Sequence, residues 1–463
     1  MRATLALVLP AAAALAGCSS APVPPPSGRA PGPPYWHVED GFLRDADGRA
    51  AILRGFNVTG EHKWAPYFDY QQPPDYARIR TDWGMSSIRF LVIWAALEPE
   101  RGVYDDAYLD EVERRVRWAA DAGLDVVIDM HQDIYGEGFP GGDGAPRWTC
   151  DQQHYDAFVP VSPWFLSYLD ENVIACYDGF WQSDDLRGHY VEAWRRVASR
   201  LAGVPAVVGF DPMNEPFWGS YDLFAFEHDR LQPFYLDVVR AVRAEAPEWV
   251  AFLEPGSSRN IGFATGLEPF GVPHVVYSPH SYDRDAEGGS GFDEGRRDAV
   301  LLNMAALADE AKALGAALWI GEFGGRASAP GIGAYMDAEV DAATTAMAGM
   351  SYWHYGKDDG YGFLDPDGNE KPELAAELVR PAPHRIGGVP RGWSWDGAAR
   401  ELVFEMTSAE GDPTTTLRVP PRVYPEGAAV DCTGCTASAV VDGELEIAAT
   451  RAGEVRVVLR PAL

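Results

Sequence analysis

The sequence predicts an α/β protein: a (β/α)₈ barrel followed by a small antiparallel β-sandwich. Between about residues 40 and 380, short apolar runs alternate with amphipathic segments whose apolar residues recur at spacings of three and four. Eight such strand–helix repeats are typical of a closed parallel barrel. The last ~80 residues instead alternate apolar and polar residues between Gly and Pro turns, which is typical of antiparallel strands.

The eight barrel strands are predicted from the apolar runs in chain order. They begin at Ile52, Ser86, Asp125, Val207, Trp249, Val275, Leu318 and Gly349. The segment from Asp106 to Gly123 shows the helical pattern that separates them. We therefore assign residues 37–382 to the barrel and 383–463 to the sandwich.

The first 18 residues read as an export signal. One Arg precedes an apolar, Ala-rich run that is too short for a stable membrane span and is typical of a signal peptide. The run ends in Leu-Ala-Gly-Cys, which resembles the bacterial lipoprotein signal. The resemblance implies lipidation of Cys18, and Ser19 after it implies an outer-membrane or cell-surface location. Cleavage as an ordinary secreted protein is the alternative, and residues 19–36 are a Pro-rich linker.

The composition limits the possible partners. The chain has a formal net charge of −31 and a pI of about 4.6. Nucleic acid and anionic lipid surfaces both require basic patches, so neither is an expected partner. We expect a monomer that binds a neutral or partly apolar substrate and contacts a membrane through its N-terminal lipid anchor.

The remaining four cysteines are predicted to form disulfides. An exported protein meets an oxidising compartment, and the simplest pairing is Cys150 with Cys176 and Cys432 with Cys435. The latter pair is a C-x-x-C, but zinc binding would require a second ligand pair nearby. A structural bridge is the preferred interpretation.

An unusually long connection follows the third predicted strand. It covers residues 134–188, carries many aromatic residues and contains Cys150 and Cys176. Long barrel loops are often functional. We expect this insertion to form a braced wall at one side of the barrel mouth, with a purely structural cap as the alternative.

Polar residues close the predicted strands. In these barrels catalytic groups gather at the carboxyl ends of the strands. The residues found there are Arg89, Asp129, His131, Asp133, Asn214, Glu215, His280, Tyr282, Glu322 and Trp353.

Two carboxyl groups facing one cavity suit glycoside hydrolysis, in which one protonates the leaving oxygen and the other attacks or activates water. Asn214 would hydrogen-bond a sugar hydroxyl. Arg89 and Tyr282 would hold the nucleophile ionised. A metal held by Asp129, His131 and Asp133, at i, i+2 and i+4, is the alternative. A mechanism with two carboxyl groups needs no metal or cofactor, so none is predicted.

These motifs resemble glycoside hydrolase family 5, in the clan of retaining (β/α)₈ glycosidases. "MNEP" at the fourth strand is similar to the family's acid/base motif, and "GEFG" at the seventh to its nucleophile motif. The resemblance implies that Glu215 is the acid/base and Glu322 the nucleophile. It also implies an inner sugar subsite made of Arg89, His131, Asn214, His280, Tyr282 and Trp353.

A narrower resemblance is to the endoglycoceramidases, which cut between glycan and ceramide and combine a barrel with a C-terminal sandwich. It rests on "RGFNVTGEHKW", "VIDMHQDIYG" and "DPMNEPFWGS". It implies that Lys63 and Asp133 also contact the sugar. Phe217 and Trp218 follow the acid/base motif and are predicted to line an apolar groove for the aglycone. Packing of both under the barrel rim is the alternative.

Three functions are therefore compared. The first is a retaining endo-β-glycosidase that releases the glycan of glycosphingolipids from ceramide. The second is a β-glucosidase, glucosylceramidase or endo-β-glucanase of the same family. The third is a surface lipoprotein that binds glycans without cleaving them, which the presence of both Glu215 and Glu322 disfavours.

Overall fold

The computed structural model describes residues 35–58, 62–68 and 70–462. The predicted signal segment, Cys18 and the linker up to residue 34 lie outside these residues. Among the residues described, no helix is long and apolar enough to cross a membrane.

Three short strands precede the barrel: β1 (His37–Glu39), β2 (Phe42–Arg44) and β3 (Ala50–Ala51). They pair antiparallel in chain order. Ala50 and Ala51 are buried, so this hairpin is covered by other parts of the molecule.

A closed parallel barrel forms the centre of the molecule. Its strands are β4 (Arg54–Val58), β5 (Ser87–Ile93), β6 (Asp125–His131), β7 (Val207–Asp211), β8 (Val250–Leu253), β9 (Val275–Tyr277), β10 (His280–Ser281), β11 (Ala317–Phe323) and β12 (Gly349–Tyr355). β12 pairs with β4 and closes the ring, while β9 and β10 are two parts of one strand that both pair with β11. The predicted eight-stranded barrel is confirmed.

Helices surround the barrel. They are α1 (Pro73–Thr81), α2 (Trp94–Leu97), α3 (Asp106–Asp121), α4 (Gln152–Ala157), α5 (Glu171–Gln182), α6 (Asp184–Leu201), α7 (Gln232–Glu245), α8 (Arg284–Glu287), α9 (Arg297–Leu314), α10 (Ile332–Thr345) and α11 (Pro372–Leu378). In α3 the side chain of Asp105 accepts from the first free backbone N–H groups, which begins the helix. Its apolar face, with Val112 and Val116, is fully buried in the core between helices and strands.

The alternation of side chains along each strand places the polar residues inside the barrel. In β6, Val126, Ile128 and Met130 belong to the core that faces the helices. Val127 belongs to a separate apolar cluster within the barrel. Asp129 and His131 share the face of Val127 and lie nearer the carboxyl end of the strand. The barrel interior is therefore apolar at the amino ends of the strands and polar at the carboxyl ends.

The C-terminal region contains two antiparallel sheets. Its strands are β13 (Ala382–Ile386), β14 (Val389–Asp396), β15 (Glu401–Ser408), β16 (Thr415–Arg418), β17 (Ala428–Thr433), β18 (Cys435–Ala437), β19 (Glu444–Ala449) and β20 (Gly453–Pro461). One sheet has the order β14-β15-β20-β17. The other has the order β1-β2-β3-β13-β16-β19-β18, so the N-terminal hairpin is part of it. The sequence did not predict this junction.

Both predicted disulfides are present. Cys150 and Cys176 lie 5.4 Å apart between Cα atoms and join two parts of the insertion after β6, the second of which is α5. Cys432 and Cys435 lie 5.5 Å apart and join β17 to β18.

Candidate active site

The predicted strand-end residues come together at the carboxyl end of the barrel. Arg89 in β5 projects inward, because Ile88 and Phe90 on either side of it face the helices. Its guanidinium is fully buried and reaches carboxylates from four other strands or strand ends. A polar layer thus crosses the barrel just beneath its mouth.

Glu322, in β11, is held by two donors. Nη1 of Arg89 donates to its Oε1 at 2.6 Å, and the hydroxyl of Tyr282 donates to its Oε2 at 2.9 Å. Burial raises the pKa of Glu322, and the charges of His280 and Arg89 act against that rise. The carboxylate is therefore fixed in orientation, with its ionised form favoured by a cation and a phenol.

Glu215 follows β7 and has a different environment. Its backbone N–H donates to Oε2 of Glu254 at 2.9 Å. Its φ of +42° lies in the left-handed region, which a non-glycine residue keeps only where its surroundings hold it. Oε1 accepts from Nδ2 of Asn260 at 2.7 Å and lies 2.7 Å from Nδ1 of His280.

The two glutamates face the same space. One carboxylate oxygen of Glu215, one of Glu322 and a ring nitrogen of His280 all lie within 4.8 Å of one another. Burial acts to lower the pKa of His280, but the carboxylates of Glu254 and Glu322 raise it well above its usual range. A protonated imidazole thus lies between the two carboxylates.

Arg89 neutralises a cluster of buried acids. Its Nη2 lies 3.0 Å from Asp129, 3.0 Å from Asp211 and 2.8 Å from Glu254, and it donates to Oδ1 of Asn214 at 3.0 Å. Burial acts to lower the pKa of Arg89, and the surrounding carboxylates raise it well above its usual range. Removing this cation would leave several buried charges without compensation.

Both glutamates line a cavity of about 360 Å³, which we call the polar cavity because its lining also includes Lys63, His131, Asp133 and Asn214. The rings of His131 and Trp353 stack in its wall at 5.1 Å. Nζ of Lys63 bonds to Asp133, lies 3.5 Å from Asp143 and sits 4.7 Å over the ring of Trp353. Burial acts to lower the pKa of Lys63, but the carboxylates of Asp133 and Asp143 raise it. Ordered donors, acceptors and a flat ring of this kind suit a sugar.

A second cavity, of about 310 Å³, is called the apolar cavity because it is lined mainly by apolar residues, and it shares Glu215 with the first. Phe217 and Trp218 line it, as predicted for a groove, and the insertion after β6 supplies much of the opposite wall. Glu215, Tyr282 and Glu287 line both cavities. The further apolar residues of the lining are Trp164, Phe165, Leu166, Leu169 and Ile261. Burial and the nearby Glu215 and Glu322 raise the pKa of Glu287 to about 7.

Phe217 also packs beneath the wall of the apolar cavity. It is 2% exposed, and its ring lies 5.3 Å from that of Tyr168 and 5.3 Å from that of Tyr177. Phe217 therefore lines the apolar cavity and is otherwise buried among aromatic residues.

The three residues that the metal alternative proposed as ligands, Asp129, His131 and Asp133, contact other side chains. Oδ2 of Asp129 lies 2.8 Å from Nδ1 of His131 and fixes the ring of that histidine. Among the residues described, His131, Asp133 and Asp143 have donor atoms close enough to hold an ion. The ammonium of Lys63 contacts two of these three residues, so a cation there would have to displace it.

Several residues of the site were not predicted. Asn57, Asp211 and Glu254 contact Arg89, and each lies at or just after the end of a barrel strand. The strand-end signal that indicated the other residues would have indicated these as well. Asn260 lies in a short 3₁₀ helix, Ser257–Ile261, and its sequence context carried no such signal.

Two profiles of known families match this chain, one over the barrel and the other over the C-terminal sheets. The profile of "Cellulase (glycosyl hydrolase family 5)" matches residues 44–359, and that of the "Glycoside hydrolase family 5 C-terminal domain" matches residues 380–458. The chain belongs to glycosyl hydrolase family 5. This family 5 enzyme is thus a glycosidase.

Individual relatives of the family 5 enzyme are endoglycoceramidases. This chain is 27% identical over 424 residues to Endoglycoceramidase I of Rhodococcus hoagii (strain 103S). The match covers 86% of this chain and 81% of the relative. Endo-glycoceramidase II from Rhodococcus sp., solved with ganglioside GM3, is 32% identical at a TM-score of 0.83, over 91% of this chain and 99% of that one. The same Rhodococcus enzyme has been solved as a lactosyl-enzyme intermediate.

A third relative is an endogalactoceramidase. Its sequence is 25% identical to that of this chain, and its crystal structure matches at a TM-score of 0.75. The match covers 92% of this chain and 99% of the endogalactoceramidase chain.

Proposed function

We propose that this family 5 enzyme is an endoglycoceramidase that hydrolyses the bond between the glycan and the ceramide of a glycosphingolipid. The observation that carries the proposal is the position of Glu215, which lines both a polar and an apolar cavity. A glycosphingolipid is polar on one side of its scissile bond and apolar on the other. An endo-β-glucanase would have sugar on both sides, and the apolar cavity gives it no advantage.

The proposed reaction is a double displacement. Glu322 attacks the anomeric carbon while Glu215 donates its proton to the ceramide oxygen that leaves. A water molecule then gives its proton to Glu215 and attacks the same carbon, which releases the glycan and restores Glu322. Retaining enzymes keep the two carboxyl groups ~5–5.5 Å apart, whereas inverting enzymes leave ~6.5–9.5 Å for a water. The distance of at most 4.8 Å between oxygens of Glu215 and Glu322 supports retention.

The surrounding residues would stabilise this chemistry. Arg89 and Tyr282 would orient Glu322 for attack. They would also stabilise the negative charge that returns to the carboxylate of Glu322 when the glycosyl-enzyme breaks down. His131, Lys63 and Trp353 would hold the sugar in the polar cavity. The names and complexes of the Rhodococcus relatives support the same substrate class.

Attachment through Cys18 is proposed on the sequence motif alone. It would hold the enzyme at a membrane surface where glycolipids are presented. Palmitate labelling of the wild type, absent from Cys18→Ala, is the expected result. Equal labelling of both would contradict the anchor.

The first experiment is mass spectrometry of the products from a panel of substrates in detergent. The panel contains glucosylceramide, lactosylceramide, a ganglioside, a galactose-linked glycolipid and a soluble β-glucan. Intact oligosaccharide together with free ceramide is the expected result. Glucose from glucosylceramide alone, or cleavage of the glucan alone, would move the function to the second hypothesis while keeping the family.

A further inference from the structure

In the part of the chain that the structure describes, the side chain of Glu215 is held at only one of its two oxygens. Within residues 35–58, 62–68 and 70–462, its hydrogen bonds all go to Oε1, from Nδ2 of Asn260 at 2.7 Å and from Nδ1 of His280 at 2.7 Å. The amide of Asn260 can only donate through Nδ2. With the imidazole protonated, Oε1 accepts two N–H groups.

An oxygen that accepts two N–H groups has no good geometry left for an O–H of its own. We infer that Asn260 is a positioning residue which, together with His280, keeps the transferable proton of Glu215 on Oε2 and directed at the leaving oxygen. The inference rests on the proposed role of Glu215 as acid/base. It assigns a function to a residue outside the strand-end set.

Asn260 is held rigidly enough for this task. Its 3₁₀ helix begins where the backbone N–H of Ser257 donates to the carbonyl of Pro216 at 2.9 Å, directly next to Glu215. The buried carboxylate of Glu227 accepts from the N–H of Gly256 at 2.7 Å and from the hydroxyl of Thr265 at 2.6 Å. Both ends of the loop are thus fixed to one side chain, which limits the freedom of Asn260.

The same loop is fixed from the opposite side. Nε of Arg259 donates to Glu310 of α9 at 2.9 Å, and Nη1 of Arg259 donates to Asn303 at 3.1 Å. Asn260 itself lines the apolar cavity next to Ile261. The residue that orients the acid therefore stands on the side from which the leaving group departs.

The role differs from that of His280. His280 also lies 3.2 Å from Glu254 and 3.5 Å from Glu322, so its replacement would disturb the whole charge network. Asn260 is uncharged, and its side chain donates a hydrogen bond to Glu215. Besides His280, the charged and titratable groups that contact or act on Glu215 include Glu254, Glu322, Glu287, Tyr168, Tyr282 and Tyr361. Arg284, Lys63, His131 and Asp133 line the same cavities.

The test compares leaving groups in the full-length enzyme. For Asn260→Ala, kcat/KM with lactosylceramide should fall by about 10- to 100-fold, which is part of the ~10²- to 10⁴-fold that general acid catalysis supplies. With a dinitrophenyl lactoside, whose leaving group needs no proton, the loss should stay below ~3-fold. A series of aryl lactosides should show a steeper dependence on leaving-group basicity than in the wild type.

The pH profile gives a readout that a purely structural role would not change. The alkaline limb of kcat/KM for a poor leaving group reports loss of the proton from the acid. In Asn260→Ala it should move to higher pH, because a donor that favours the ionised carboxylate is gone. Ser258→Ala, a buried residue of the same 3₁₀ helix, is the control and should keep the wild-type limb.

Asn260→Asp keeps the shape of the side chain and replaces the donor by an acceptor. It should draw the proton of Glu215 toward Oε1. It should therefore slow the cleavage of substrates with poor leaving groups at least as much as Asn260→Ala does, and it is the second variant if Asn260→Ala unfolds. Equal losses on all leaving groups, or an unchanged alkaline limb, would overturn the inference. If the wild type releases no glycan from glycolipids, the proposed substrate fails, and the aryl lactoside series still tests the role of Asn260.

Discussion

At the scale of single residues, the carboxylates of Glu215 and Glu322 lie in different surroundings. Glu322 faces a guanidinium and a phenol, whereas Glu215 faces an amide, an imidazolium and the apolar cavity. Environments that differ in this way are how proteins assign acid and nucleophile roles to a pair of like groups. These contacts support the proposed roles of Glu322 as the nucleophile, which two donors orient, and of Glu215 as the acid/base, which borders the apolar cavity.

Glu322→Ala should abolish turnover. Without the carboxylate no glycosyl-enzyme forms, and kcat on an activated aryl lactoside should fall by ~10⁴-fold or more. The variant should still bind the glycan, because the polar cavity is unchanged. Substantial residual hydrolysis, or a covalent adduct with an activated substrate analogue in mass spectra of the variant, would remove Glu322 from this role.

Glu215→Gln should discriminate between leaving groups. Cleavage of lactosylceramide should slow by ~10²- to 10⁴-fold, whereas kcat/KM with a dinitrophenyl lactoside should change little, since that leaving group departs without a proton. Steady-state kinetics on both substrates is the measurement. Equal losses on the two would count against the acid role.

The sequence predicted most of these residues because a buried strand that ends in a charged or amide side chain is unusual. Glu322 and His131 were found in this way. Asn260 could not be found, because its contact with Glu215 spans 45 residues and depends on how a loop is folded back by Glu227. The difference is that strand direction fixes where a strand-end side chain points, whereas a loop side chain is placed by tertiary contacts.

At the scale of elements, a buried hydrogen bond joins one barrel strand to a helix behind it. Glu339 in α10 is 1% exposed and accepts from the hydroxyl of Ser281 in β10 at 3.1 Å. Ser281 lies between His280 and Tyr282, so this contact supports the strand that carries both. A carboxyl group buried in this way is stable in the folded protein only when it is protonated.

Glu339 should make the fold less stable in alkaline solution. Burial raises its pKa to about 8, so the folded state holds a proton that the unfolded state has already lost above its ordinary value of 4.5. Its contribution is fully present below that ordinary value and is lost as pH rises through about 8, by ~3–5 kcal/mol at most. Glu339→Gln should therefore raise Tm relative to the wild type at pH 9 and change it little at pH 5. A Tm difference that is the same at both values would contradict this assignment.

The insertion after β6 is the element whose role was predicted in outline only. Its aromatic content and two cysteines indicated a braced wall, and the disulfide within it and its part in lining the apolar cavity agree with that. The sequence could not tell which side of the mouth it covers. That depends on how Tyr168 packs against Phe217, which follows β7, and local patterning does not encode this contact.

At the scale of the whole molecule, the N-terminal hairpin joins the barrel to the C-terminal sheets. β3 pairs with β13, and Ala50 and Ile52 share a core with Leu402 and Phe404. The sequence predicted the C-terminal strands from their alternation but not this pairing, since β3 has only two residues and its partner lies more than 300 residues away. The junction suggests that the C-terminal sheets stabilise the barrel.

Arg385 makes this structural dependence testable. It lies in β13, donates to Asp125 at the start of β6 at 2.5 Å and lies 3.4 Å from Asp45. Burial acts to raise the pKa of Asp125, but the guanidinium brings it below its usual range. Arg385→Ala would leave Asp125 without its guanidinium, whereas Asp45 would keep its ion pair with Arg49 at 2.8 Å. Losing one partner of a buried pair costs ~3–5 kcal/mol.

Because the ion pair joins the two parts, its loss should lower the temperature of a single calorimetric transition rather than split it. Arg460→Ala, which removes a half-exposed ion pair with Asp431 on the outer sheet, is the matched control and should change stability by less than ~1 kcal/mol. If calorimetry of Arg385→Ala resolves two transitions, with the barrel keeping its wild-type temperature, the C-terminal sheets fold independently and do not stabilise the barrel. One transition shifted as a whole would mean that the active site depends on strands at both ends of the chain.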